Sequence, residues 1–116
     1  MHNEEHLNLV LILDYSCAIA ECDLQLIEPN SNKKEINATK KRIKSDIKKF
    51  LPAIKKALRN PLYVDKAELF YYMALCYEIL ENKSKALKCY KEASKRDLKY
   101  IINLASFKRQ NNDKDG

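Results

Sequence analysis

Apolar residues recur along most of this chain at steps of three and four with polar residues between them, the signature of amphipathic helices. The clearest stretch runs from Lys66 to Asp97. Leu69, Phe70, Met73, Ala74, Tyr77 and Leu80 form one apolar stripe, and Ala86, Leu87, Tyr90 and Ala93 form a second. Between the two, Glu81, Asn82, Lys83 and Ser84 break the pattern with residues suited to a helix end and a fresh cap. So short a connection leaves only antiparallel neighbours, and the pattern predicts a helical hairpin. Small residues stand where the two backbones approach, at Ala74, Ala86 and Ala93, while Phe70, Met73, Tyr77 and Tyr90 fill the volume around them.

Two further helices are expected upstream. Residues 5–27 read as the first, apolar around most of its circumference, with Asn8, Asp14, Glu21, Gln25 and Glu28 as a narrow polar stripe. A helix of that kind is normally buried, so it is expected either to be wrapped by long neighbours or to pack on a partner or a second copy. A short strand at Leu7 to Leu13 is the competing assignment, but no second strand is available to pair with it. Asn32 with Glu35 starts the second helix as a capping pair, and Ile36, Ile43, Ile47, Phe50, Ile54 and Leu58 give its core face. Pro52 is expected to kink this helix, because the apolar stripe continues in phase beyond it, and Asn60 and Pro61 end it. Asp65 with Glu68 repeats the start signature. The fourth helix is expected to run past Asp97 through Leu98, Ile101, Leu104 and Ala105 to about Lys108. The reading is one all-α domain over 1–109, built as a four-helix antiparallel array of helical hairpins, with a disordered tail at 110–116.

Composition agrees with this reading. The single glycine, Gly116, and three prolines leave few helix breakers. A chain of 116 residues buries enough surface to need no metal or disulfide. Cys17, Cys22, Cys76 and Cys89 lie inside helical patterns without paired close spacings, and read as small core residues in a reducing compartment. The apolar run near the start follows the acidic segment MHNEEH and is too short to span a bilayer, so neither a signal nor an anchor is expected and the localisation read is cytoplasmic. The net charge of +6 hides a segregation. Residues 1–32 hold six acids and no lysine or arginine, whereas 33–59 hold eleven bases against Glu35 and Asp46. Attraction between these neighbouring segments guides their association more than it stabilises it.

From Phe70 the typed positions Met73, Ala74, Tyr77, Ala86, Tyr90 and Ala93 resemble one tetratricopeptide repeat, a helix–turn–helix unit of about 34 residues. Two positions depart from that family: Ala74 stands where glycine is commoner, and Leu98 where proline usually ends the second helix. No second repeat is in register upstream, although a looser alignment sets Ile54 and Ala57 in the places of Tyr90 and Ala93. The resemblance implies stacked hairpins of the α-α superhelix type and a concave surface that binds a peptide or helix. Glu68, Tyr71, Tyr72, Leu75 and Glu78 would line it, and an amphipathic helix with basic flanks fits those residues better than an acidic ligand.

No catalytic constellation is written in the chain. His2 and His6 share a helical spacing but stand at the N-terminus, and a lone terminal glycine permits no phosphate loop. Neither metal nor cofactor is expected. The function expected is that of a non-enzymatic interaction module or scaffold that binds another protein or self-associates through the first helix. The alternative is electrostatic binding of nucleic acid or an acidic membrane through Lys40, Lys41, Lys44, Lys48 and Lys55. Against that alternative, Phe50, the only interleaved aromatic, belongs to the core face, and nucleic acid is not the partner expected.

Overall fold

The computed structural model describes residues 2–30, 32–62 and 65–112, without the side chains of 2–8 and 112. The side chains of His2 and His6 therefore lie outside the described residues. The chain is all-helical: α1 (His2–Gln25), α2 (Lys33–Leu58), α3 (Lys66–Ile79), α4 (Lys83–Arg96), a single 3-10 turn (Leu98–Tyr100) and α5 (Ile101–Asn112). No strand is present among the described residues.

Local chemistry sets most of the boundaries. The side chains of Asn32, Asp65 and Asn82 each accept the backbone N–H three residues on, from Glu35 at 3.2 Å, Glu68 at 2.9 Å and Lys85 at 3.3 Å. α2 continues through Pro52, which lies exposed and deprives the helix of one backbone donor. α3 ends on a left-handed residue: Glu81 has φ 63°, the Asn82 N–H reaches back to the Tyr77 carbonyl at 2.8 Å, and the Glu81 N–H to Glu78 at 3.0 Å. This is a Schellman closure with glutamate where glycine is commonest.

The fourth helix differs from expectation. The helix expected to run unbroken to Lys108 is divided at Asp97, whose backbone is extended (φ −148°, ψ 118°) and whose side chain accepts the Lys99 N–H at 3.1 Å. The divided segment gives five helices in place of four. α5 itself continues through Asn112, and 113–116 of the expected tail lie outside the described residues.

α3 is the hub of the array. It forms its most extensive interface with α4 and packs also on α1 and α2, while α5 packs on α4. Leu9 and Ile12 of α1, Ile43, Ile47 and Ile54 of α2, and Leu69, Ala74 and Cys76 of α3 belong to one continuous core. Of the residues expected to pack the hairpin, Met73, Ala74, Tyr77, Ala86, Tyr90 and Ala93 are buried, and half-buried Phe70 packs against Ala67, Ala93 and Tyr100 with the Arg96 guanidinium 4.7 Å from its ring centre. α1 is not wrapped on every side. Leu9, Ile12, Tyr15 and Ile19 turn inward, and Val10, Leu11, Leu13 and Leu24 stay exposed.

Glu81 is held at φ 63° with only an exposed ion pair to Lys44 (3.2 Å) in compensation. A non-glycine residue in this region costs ~1–2 kcal/mol, offset in part by the extra chain entropy of glycine. Glu81→Gly should therefore raise stability by about 0.5–1 kcal/mol in urea unfolding, and a loss of that size would show that the turn is not held as described.

Candidate interaction groove

α1 packs on α3, and α5 on α4. At the end where α1 finishes, they enclose a recess of about 310 Å³ lined by Asp23 of α1, Glu78 and Glu81 at the close of α3, Lys83, and Phe107, Gln110 and Asn111 of α5. Three of these residues are acidic. Asp23 is tied to Lys40 at 2.6 Å and Glu81 to Lys44, both salt bridges at the rim. Glu78 lies deeper, where burial pushes its carboxyl above the usual range even though the Tyr90 hydroxyl, donating to it, opposes the shift. The same contact and the same burial drive the Tyr90 phenol strongly upward.

Along the floor, the side chains expected to form an open groove are largely covered. Tyr71 stacks on Tyr100 with ring centres 5.0 Å apart, Tyr72 meets Tyr71 edge-on at 5.3 Å, and Tyr90 tilts onto Phe107 at 5.2 Å. Burial raises the phenol of Tyr71, and that of Tyr100 reaches about 12. Leu75, expected on the exposed side, is only 8 % exposed and belongs to the core. Glu68 and Tyr72 are half-buried. The physical reasons are two: the break at Asp97 turns the chain so that Tyr100 packs over Tyr71 of α3 while Phe107 packs on Tyr90 of α4, and Leu75 lies in the core that α3 shares with α1 and α2.

One stretch of uncovered apolar surface lies instead on α1. Val10, Leu13, Cys17, Ala20 and Leu24 are all exposed, and their alternating steps of three and four place them in one stripe along the helix. α1 packs on α3, so the stripe runs along a helix that adjoins the α3 residues. Asp14 and Glu21 flank it, and α1 contains no lysine or arginine. The three-four spacing was open to sequence reading, but an apolar circumference hid it: Leu9 and Ile12 carry an equally good stripe on the other side. Cys17 is accordingly an exposed thiol and not a core residue, unlike Cys76 and Cys89, whose burial pushes their thiols to about 12 and about 11.

The lysines expected to act as one basic face are divided. Lys40 and Lys44 are half-buried and spent on Asp23 and Glu81, whereas Lys41, Lys48 and Lys55 are exposed. Among the described residues no group of histidine, cysteine or acidic side chains could hold a metal ion, and no helix is long and apolar enough to cross a membrane. No family model, curated protein or solved structure matches the chain.

Ionisation of Glu78 opposes folding, because its carboxyl is held above its unfolded range by burial. That cost is absent at low pH and grows as pH rises through the carboxylate range into the raised one. Glu78→Gln keeps an acceptor for Tyr90 and removes the ionisable group. Melting curves should show the variant gaining on the native chain between pH 4 and pH 7; a constant difference across that interval would mean that Glu78 is not held by burial.

Proposed function

We propose that this chain is a non-enzymatic interaction module of tetratricopeptide-like type whose groove receives an amphipathic helix carrying basic residues. One observation carries the reading: the exposed stripe Val10, Leu13, Cys17, Ala20 and Leu24, bordered by Asp14 and Glu21 and leading toward a recess in which Glu78 meets the Tyr90 hydroxyl while Asp23 and Glu81 pair with Lys40 and Lys44 at the rim. An apolar seam with three-four spacing is what a second helix packs against, and acidic borders select cationic flanks on that helix. The packing of α3 on both α1 and α2, with α4 closing the second hairpin, supports the repeat-like part of the reading. Tyr71 and Tyr72 meet edge to face on α3, the helix on which α1 packs, and Leu75 belongs to the core.

Self-association through α1 is the rival occupant. It would set Asp14 and Glu21 of one copy against the same acids of another in either orientation, with no base on the helix to answer them, so a different protein fits better. Four free cysteines, one of them exposed, support a reducing and hence cytoplasmic setting.

Leu13→Ser with Leu24→Ser alters exposed positions only. Burying one leucine fully contributes about 1.5–3 kcal/mol, and Leu13 at 39 % and Leu24 at 66 % exposure together leave roughly one leucine's surface for a partner to cover. The pair should weaken binding of a designed leucine-lysine helical peptide by roughly ten- to a hundredfold in fluorescence anisotropy. A leucine-glutamate peptide of the same spacing should bind far less. Equal affinity for the two peptides, or no response to the double substitution, would overturn the groove, and a concentration-dependent dimer lost in the same variant would transfer the seam to a second copy.

A further inference from the structure

The end of the molecule remote from the recess has a different chemistry. There α2 stops, α3 starts and α4 turns into α5. The start of α3, the close of α4 and the turn after it converge there, since Ala67, Ala93 and Tyr100 share one buried cluster, and α2 packs on α3. Apart from α1 and the turn after it, every large exposed aliphatic residue among those described lies here. Leu62 is 77 % exposed, Leu98 75 % and Ile102 78 %, with Ile101 beside them. Exposed bases stand close to these residues along the chain: Lys55, Lys56 and Arg59 at the close of α2 precede Leu62, and Lys95, Arg96 and Lys99 flank Leu98.

The acids at this end are already engaged or set back. Asp65 and Asp97 cap helices, Asp97 also meeting Lys99 at 3.8 Å. Glu92 pairs with Arg96 at 2.5 Å and Lys95 at 3.6 Å, and Glu68 is half-buried. Lys55, Lys56 and Arg59 are thus the bases least compensated by neighbours. Cationic residues alone would suit any polyanion. Aliphatic tips held three-quarters clear of the protein suit only one that offers hydrocarbon beneath its charge, and among the described residues this end exposes no aromatic side chain of the kind that stacks on nucleic-acid bases.

We infer that this end of the bundle docks on the anionic surface of a lipid bilayer. Leu62, Leu98 and Ile102 enter the headgroup boundary, and Lys55, Lys56 and Arg59 lie over acidic headgroups. Attachment is peripheral, as suits a chain with no helix among the described residues able to span the hydrocarbon. The inference does not rest on the groove: α1 takes no part in it.

The test is sedimentation of the full chain with vesicles of phosphatidylcholine alone or with about one-third phosphatidylserine, at about 0.1 M salt. The chain should partition onto the anionic vesicles and not the neutral ones. Leu62→Ser, Leu98→Ser and Ile102→Ser combined should keep the helical circular dichroism and lose about tenfold or more of the partitioning. Lys55→Glu, Lys56→Glu and Arg59→Glu combined should abolish it, and Leu13→Ser with Leu24→Ser should leave it unchanged. Failure to bind anionic vesicles would overturn the inference. So would equal partitioning of the serine variant, and binding of duplex RNA at the same salt with indifference to the three aliphatics would reassign the surface to nucleic acid.

Discussion

The closeness with which α3 lies against α4 governs the rest of the molecule. Ala74, Ala86 and Ala93 are all at 0 % exposure, and their small size lets the two backbones approach while Met73, Tyr77 and Tyr90 interlock around them. Enlarging any of these alanines would force the helices apart at a cost of about 1–3 kcal/mol. α3 in turn presents its remaining sides to α1 and α2. A helix engaged on so many sides retains little surface for a ligand. That is why Leu75, on what would be the open side of an isolated hairpin, is core here, and why the available apolar surface is displaced to α1 and to the loop tips.

How far the sequence can be read follows from which signals are local. Helix starts were legible because an asparagine or aspartate at 32, 65 and 82 satisfies a backbone donor three residues away, a chemistry contained within one turn. The hairpin interior was legible from the order of large and small side chains. The break at Asp97 was not, because two signals conflict there. Leu98, Ile101 and Leu104 continue the apolar period, and only the docking of Tyr100 on Tyr71, a contact across 29 positions of sequence, makes a turn worth its loss of helical bonds. The groove shows a related limit. α1 carries two apolar stripes, and which one faces inward is decided by where α2 and α3 lie, so periodicity within α1 alone could not separate the buried Leu9 and Ile12 from the exposed Val10 and Leu13.

Charge follows the helices and not the chain as a whole. α1 carries acids and no lysine or arginine, while α2 and α4 hold most of the bases. Part of this opposition is consumed internally: Asp23 with Lys40 ties α1 to α2, as does the Tyr15 hydroxyl donating to Asp46 at 3.1 Å, and Glu81 with Lys44 ties the α3–α4 turn to α2. These bonds are partly exposed and each contributes little to stability. They do, however, remove Lys40 and Lys44 from any external basic surface, so the outward positive charge is carried by other residues, among them those at the close of α2. An acidic, apolar groove and a basic, aliphatic tip therefore occupy separate parts of the same small array.

Glu78 joins the packing to the proposed binding reaction. Its carboxyl is raised by burial and restrained by the Tyr90 hydroxyl, so the folded chain holds a proton there to higher pH than an unfolded one. A cationic side chain entering the recess would face Glu78 with Asp23 and Glu81 nearby, and an opposite charge at that distance favours the ionised carboxylate. Binding of a basic helix would then release a proton wherever Glu78 is still protonated, and by linkage affinity would rise as pH increases through the range in which Glu78 ionises. The burial that makes ionised Glu78 a cost to the free chain is the same property that lets a cation recover that cost on binding, so the recess is matched to a positively charged occupant through the energetics of its own core.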